Sequence, residues 1–412
     1  MCGAPIIMAG MKLLYTAFDA YPGHKGAQAH IRSNLFAAKE NGYRATLLCL
    51  GTSGSFRDPE SSAAVHACAL NEENLLRRSE AFGRFVSSKA DTMIDDPPDI
   101  IHFRDIWSGI PLLGHSISRK GRTVFEVNGL PSVELPARFP RLARNSSFIR
   151  RLRAMEDECL KLSDRVISIS ARTTRYLTER GCEPGKISFV PNSTAWTSID
   201  GDPEIPQCIA ASISGADKVI LYTGTLAAWQ GIPTLVNALA HLKHRQDFLL
   251  VVIASNRRNM SRLRRYIAAR GLAQRTIIHD RLSHPAALSL YGQAYACVAP
   301  LARGPRNELQ GCCPLKIIEA MASGTPVVAS DLPVIREIID DGVDGMLTVP
   351  DSPRSLAHAL EALMDDRPMR TRLASAARDK ARRVFTARLY SERLGTLYAS
   401  LLGGNGNAVF DR

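Results

Sequence analysis

The sequence predicts an α/β protein of two similar, doubly wound domains facing a central cleft, and three observations carry that expectation. Its 412 residues exceed what a single hydrophobic core normally organises. Short β-rich runs alternate with helix-period segments along the chain, the pattern of parallel strands covered by crossover helices. The series breaks once, at NSTAWTSIDGDPEIPQCIAASISGAD, where proline, glycine and serine replace periodicity, and then begins again.

The first series supplies strands at KLLYTAF, RATLLCL, DIIHF, TVFEV, RVISIS and ISFVP. Between the first two lies GAQAHIRSNLFAAKENG, with Ala27, Ile31, Leu35 and Ala38 on one helical face and Gly42 as a C-terminal stop. The second series supplies KVILYTG, FLLVVIA, RTIIHD, YACVAPL, TPVVAS and GMLTV, with helices at GIPTLVNALAHLKHR, NMSRLRRYIAARG, HPAALSLYGQA and PLKIIEAMASG. A last amphipathic helix reads at FTARLYSERLGTLYASLL, followed by GGNGNAVFDR as a mobile tail. The expected division is a Rossmann-like domain at 1–195, a linker at 196–216, a second Rossmann-like domain at 217–385, a terminal helix at 386–402 and a tail at 403–412. Open α/β sheets bind ligands outside the carboxyl ends of their strands, so both domains should present loops to one shared cleft.

Composition narrows the setting. With 45% hydrophobic and 22% charged residues the chain falls in the ordinary range of soluble globular proteins. No apolar run approaches the ~20 residues of a membrane span, and MCGAPIIMAGMKLLYTAF is too short and too weakly basic for a signal peptide. Nine cysteines, an odd number without a pairing pattern, point to reduced thiols and a cytoplasmic location. The adjacent Cys312 and Cys313 lack CxxC spacing, so no metal is expected.

A formal charge of +12 calls for an acidic partner: nucleic acid, an anionic lipid surface or a phosphorylated small molecule. Nucleic acid is set aside, because no zinc-finger, RNP-type or basic-zipper pattern is present and aromatics are few. Much of the excess lies in ARFPRLARNSSFIRRLRAM, where Arg138, Arg141, Arg144, Arg150, Arg151 and Arg153 alternate with Phe139, Leu142, Phe148, Ile149 and Leu152. This segment reads either as a surface for anionic headgroups or a phosphorylated acceptor, at the inner face of a membrane, or as a solvated face whose arginines pair with Glu156, Asp157 and Glu158.

Taken in order, YPGHKGAQAH, DIIHFRD, EVNGLPS, CLKLSDRVISISARTTRYLTERG, KISFVPNS, LYTGTLAAWQGI, CVAPL and PLKIIEAMASGTPVVASDLPVIREIIDDGVDG resemble the large retaining glycosyltransferase family four, of GT-B architecture. The resemblance implies an N-terminal acceptor domain, a C-terminal donor domain and a last helix that crosses back to the first. It also implies metal-independent transfer, without a cofactor, of a sugar from a nucleoside-diphosphate sugar to a saccharide or lipid-linked acceptor, with retention. Surface polysaccharide or glycolipid synthesis is the expected setting.

Site residues follow at matching positions. A diphosphate leaving group needs dispersed donors, and the helix opened by Pro314 offers free N–H groups near Leu315 and Lys316 with the positive dipole end. In similar enzymes the glutamate at position 319 binds ribose; the alternative for Glu319 is stabilising its own helix start. Gly26 opens a helix after the first strand, and reads as a point of close approach to the diphosphate or as a plain turn. Arg281 falls where similar proteins cradle the base largely with backbone groups, the alternative being a solvated side chain. His102 and Asp105 stand at or just past strand ends, facing the expected cleft, as acceptor-side candidates, and Glu126 and Asn128 as catalytic ones, the alternative for all four being a structural role.

Three departures stand beside these matches. Gly311 occupies the place of a first glutamate eight residues before Glu319, and reads as leaving room for the sugar where that glutamate would reach. Thr225 and Gln230 replace a basic pair in the loop after the second domain's first strand. Asn128 replaces a histidine near the transferred sugar. Lys316 is therefore assigned the missing charge on the diphosphate, the alternative being a solvent pairing with Glu319 or Glu308, in which case Arg303 and Arg306 are the next candidates. Because of the same departures, a GT-B protein that has lost transfer and serves as a binding or assembly partner is the alternative function.

Overall fold

The structure is a computed structural model that describes residues 10–23, 26–52, 54–194, 205–254, 257–280 and 282–403. The first sheet contains β1 (Lys12–Ala20), β2 (Arg44–Leu50), β3 (Ser55–Arg57), β4 (Ala64–Cys68), β5 (Ile100–Phe103), β6 (Arg122–Val127), β7 (Arg165–Ser168) and β8 (Ile187–Phe189). Their order is β3-β4-β2-β1-β5-β6-β7-β8, parallel except for the β3–β4 hairpin. The second contains β9 (Lys218–Gly224), β10 (Phe248–Ala254), β11 (Thr276–His279), β12 (Ala296–Ala299), β13 (Val327–Ser330) and β14 (Met346–Thr348). It runs β11-β10-β9-β12-β13-β14, all parallel, the doubly wound order whose switch point lies between β9 and β12.

Both faces of the second sheet are covered, which is why its strands read as unbroken apolar runs. Along β9, Val219 and Leu221 pack towards Ile317, Ile318 and Met321, while Ile220 and Tyr222 pack towards Leu235, Leu239, Leu356 and Leu360. In the first sheet, Leu14, Ile101, Phe103 and Phe125 face Phe82 and Val86. Leu13, Ile100 and Val124 face Tyr390, Leu394, Leu397 and Tyr398.

Those last four side chains belong to the helix Ala387–Leu401, which lies on the helix Gly26–Glu40 of the first domain. Gly395 makes the approach feasible, since a Cβ there would fall 2.0 Å from Asn41 Oδ1. Asn41 Nδ2 donates to Ser391 O at 2.9 Å, and Tyr390 OH donates to Asn34 Oδ1 at 3.0 Å. The two chain segments joining the domains pair at Thr194, whose N–H donates to Phe385 O at 3.0 Å.

Two expectations need correction. The first series missed β3 and β4, a short edge hairpin whose SFR and AVHAC are too brief to show a period. The stretch expected as linker at 196–216 contains the helix Gln207–Ser214, and its Ile209 is fully buried beside Val219 and Leu221. One anchoring side chain amid serine, alanine and proline leaves little pattern to read. The rest of that stretch, 196–204, lies outside the described residues up to Ile205.

Candidate active site

The carboxyl ends of the two sheets meet across a cleft, and two helix starts face each other there. A Cβ on Gly26 would sit 3.6 Å from Leu315 Cδ1, so the helices Gly26–Glu40 and Leu315–Ala322 direct their positive ends into one space. Pro314 caps the second helix without a side-chain hydrogen bond, which leaves the first backbone N–H groups for a ligand.

Lys316 reaches back from this helix to the loop after β9. Its Nζ donates to Gln230 Oε1 at 2.6 Å and lies 4.4 Å from the centre of the Tyr222 ring. Gly224, at φ +145°, makes room: a Cβ would fall 2.9 Å from that ammonium. Tyr222 OH donates to Thr225 O at 2.7 Å and so fixes the loop beneath the lysine. Burial lowers the Lys316 pKa to about 8, and the charge of Arg306 adds to the depression. Neither Glu319 nor Glu308 pairs with Lys316. Glu308 accepts from Gly304 N at 2.9 Å and Arg303 Nη1 at 3.2 Å.

Glu319, one turn on, is 3.0 Å from His284 Nε2. Both line a narrow crevice with Ser193, Thr194, Ser33 and Arg32, so Glu319 opens between the domains. The hydroxyls of Ser193 and Thr194 are buried without a protein partner. Gly26, Gln230, Leu315, Lys316, Glu319 and the backbone of Thr225 are thus drawn to one region. Arg281 lies outside the described residues.

The first-domain candidates form a separate cluster under the cleft floor. Glu126 is 1% exposed, so it does not face the open cleft as a strand-end residue was expected to. Its carboxylate is bonded by His30 Nε2 and Asn128 Nδ2, lies 3.2 Å from His102 Nε2, and accepts from Asn34 Nδ2 at 3.3 Å. Burial pushes the Glu126 pKa up, but the opposing pull of His30 and His102 wins and holds it well below the usual carboxylate range. His102 is 0% exposed, and its Nδ1 meets Tyr398 OH at 2.7 Å. The acceptor-side expectation for His102 is therefore corrected: it ties the crossing helix to β5. Asp105 is a cap, accepting from Phe18 N at 2.6 Å and Ser108 N at 2.9 Å, with burial pushing its pKa up to about 6. Of the four, Asn128 and Asp105 are partly exposed, whereas His102 and Glu126 are buried.

Gly311 also differs from expectation. At φ +89° its Cβ would lie 2.6 Å from Ser170 Oγ, 2.7 Å from Thr173 Oγ1 and 2.9 Å from Thr173 N. The missing side chain lets the second domain seat against the start of the helix Ala171–Glu179, rather than opening space for a sugar. Sequence reading missed His30, His284 and Glu134; Arg306 it named only as a reserve cation. Among the described residues no group of three or more His, Cys, Asp or Glu is arranged to hold a metal ion.

Two Rossmann-like sheets, a shared cleft and a crossing C-terminal helix define the GT-B class. A model of Glycosyltransferase Family 4 matches residues 24–194 and one of Glycosyl transferases group 1 matches residues 210–380. The chain belongs to this group 1, family four set of glycosyltransferases. It is 28% identical over 204 residues to an alpha-D-kanosaminyltransferase of Streptomyces kanamyceticus, covering 49% of this chain and 51% of that protein. It is 32% identical over 238 residues to a D-inositol 3-phosphate glycosyltransferase of Xylanimonas cellulosilytica, 55% of each. The chain thus spans about half the length of these relatives. Sucrose-phosphate synthase from Thermosynechococcus elongatus superposes with a TM-score of 0.79 at 20% identity, over 95% of this chain and 99% of that one. Anabaena HepE in complex with UDP-glucose does so with a TM-score of 0.71 at 17% identity, over 95% and 100%. At such identities the likeness is one of fold.

Proposed function

We propose that the protein transfers a sugar from a nucleoside-diphosphate sugar to a saccharide or lipid-linked acceptor with retention. One observation carries the reading: two helix starts and the ammonium of Lys316 converge on a space that Glu319 borders. A departing nucleoside diphosphate gains negative charge on its terminal phosphate, and fixed donors aimed there stabilise the transition state more than the ground state. Lys316 and the N–H groups of Leu315 and Lys316 supply those donors, and Glu319 accepts from the ribose hydroxyls in place of His284. Donors carrying UDP, as in the HepE complex, fit this chemistry.

The acceptor side has its own support. Arg138, Arg141, Arg144, Arg150, Arg151 and Arg153 are all exposed, as is Phe139 at 42%. Two of the three nearby acids are otherwise engaged: Glu156 pairs with Arg180 at 2.6 Å and accepts from Ser132, and Asp157 also pairs with Arg180, while the third, Glu158, is exposed. That arrangement favours an anionic partner at this face, a lipid-linked acceptor at a membrane surface, over a neutralised solvent face.

Thermal shift and hydrolysis across UDP-, GDP- and ADP-sugars test the reading. One base is expected to stabilise the fold and to show slow sugar release. Stabilisation without any turnover, with or without acceptor saccharides, would instead favour a transfer-inactive binding partner. A chain that binds none of them is not a donor-dependent enzyme.

A further inference from the structure

Arg306, ten residues before Lys316 in the chain, approaches the same loop that the lysine bonds. It begins the π-helical turn Arg306–Gln310, a form that often marks functional sites. Its guanidinium centre lies 5.6 Å from the Trp229 ring, and the next residue, Asn307, donates Nδ2 to Trp229 O at 3.0 Å. Gln230, adjacent to Trp229, is the acceptor of Lys316. Both cations therefore flank one two-residue turn, in the loop where Thr225 and Gln230 carry no charge.

The counter-ion of Arg306 comes from the other domain. Arg306 Nε donates to Glu134 Oε1 at 2.8 Å, and this is its only ion pair among the described residues. Glu134 sits in the helix Pro131–Arg138 and folds over Gly129, where a Cβ would fall 2.3 Å from Oε1. The two side chains keep 18% and 31% of their surface, so the pair borders the cleft rather than the core.

We propose that Arg306 is a second cation for the donor diphosphate, held by Glu134 while the cleft is empty and passed to the phosphates when the donor enters. The proposal rests on the donor-site reading above and assigns it a further positioning residue. A diphosphate carries more charge than one carboxylate and offers oxygens matched to the planar fork, so the exchange favours the ligand. A structural strut makes the opposite demand: losing either partner would then weaken the cleft in the same direction.

Calorimetric titration with UDP, GDP and ADP and their monophosphates separates the two. Arg306→Gln should lower the ratio of diphosphate to monophosphate affinity by about tenfold or more, the scale of a lost charged hydrogen bond, and Arg306→Lys should restore part of it. Glu134→Gln, which is isosteric, should raise the ratio by about threefold or more as the competing anion disappears. An unchanged ratio in Arg306→Gln, or a lower one in Glu134→Gln, overturns the exchange while leaving the donor site standing. Absence of nucleotide binding by the unaltered protein removes the donor site and the exchange together.

Discussion

At Lys316 a cation is held in a site that opposes its charge. It is 9% exposed, bonded to a neutral amide and packed on a tyrosine ring, and its pKa falls from 10.5 to about 8. Between those values the unfolded chain binds a proton that the folded chain does not, so this residue's contribution to stability rises with pH there. At neutral pH the buried cation costs on the order of 3 kcal/mol. Such a cost is retained where an anionic ligand later repays it. Lys316→Met should therefore not lower the melting temperature of the ligand-free protein at pH 7, yet should weaken diphosphate binding and cut turnover by about a hundredfold. If the ammonium meets the donor diphosphate as proposed, the ligand raises the lysine pKa and binding above pH 8 takes up a proton. Affinity should fall as pH rises from 8 towards 9.5, by up to about tenfold per unit, and this slope should vanish in Lys316→Met. A level calorimetric profile in the unaltered protein would show that the ammonium does not meet the ligand.

Among elements, the loop from the π-helical turn to the helix Leu315–Ala322 is tied to the first domain. Leu130 N donates to Gln310 Oε1 at 2.9 Å, Asn192 Nδ2 donates to Cys313 O at 2.7 Å, and Glu337 caps the helix Ala171–Glu179 through Ala171 N and Arg172 N. Gly311 lies amid these contacts in a backbone region that side chains rarely adopt. Gly311→Ala combines that strain with a clash against Ser170 and Thr173, and should cost about 1–3 kcal/mol in denaturant unfolding. Stability equal to the parent's would mean the domains seat otherwise. The helices Leu75–Asp91, Pro353–Asp365 and Arg367–Val384 went unplaced, whereas the main strands and the helices Gly26–Glu40 and Ala387–Leu401 were legible because each carries its pattern locally, and the Pro314 to Glu319 stretch because it is contiguous. What bears on Glu319, Glu126 and Arg306 was not, since His284, His30 and Glu134 stand 35, 96 and 172 residues away from them. Lone polar side chains in surface-like sequence gain meaning only when two sheets bring their strand ends together.

The whole molecule carries a net charge of +12, and its first domain concentrates exposed arginine beside the cleft. The helix Pro131–Arg138 bears Glu134 at the cleft, and the arginines begin at its far end and continue through the helix Ser146–Leu162. Leu152, Cys159 and Leu160 anchor that second helix in the core, while Arg150, Arg151 and Arg153 remain outside it. Arg180 occupies Glu156 and Asp157, and among the described residues no ion pair joins Arg138, Arg141, Arg144, Arg150, Arg151 or Arg153 to an acid. No described helix is long and apolar enough to cross a membrane. Each arginine near an anionic surface contributes about 1 kcal/mol, and that attraction decays within a Debye length. Reversing Arg150, Arg151 and Arg153 to glutamate should abolish sedimentation with phosphatidylglycerol vesicles, and raising salt from about 0.1 to 0.5 M should do the same to the unaltered protein. Nucleotide affinity should stay as it was, because these side chains lie outside the donor region. Vesicle binding that survives both changes would remove this face from membrane contact, and absence of vesicle binding by the unaltered protein would leave a soluble anionic saccharide as its partner.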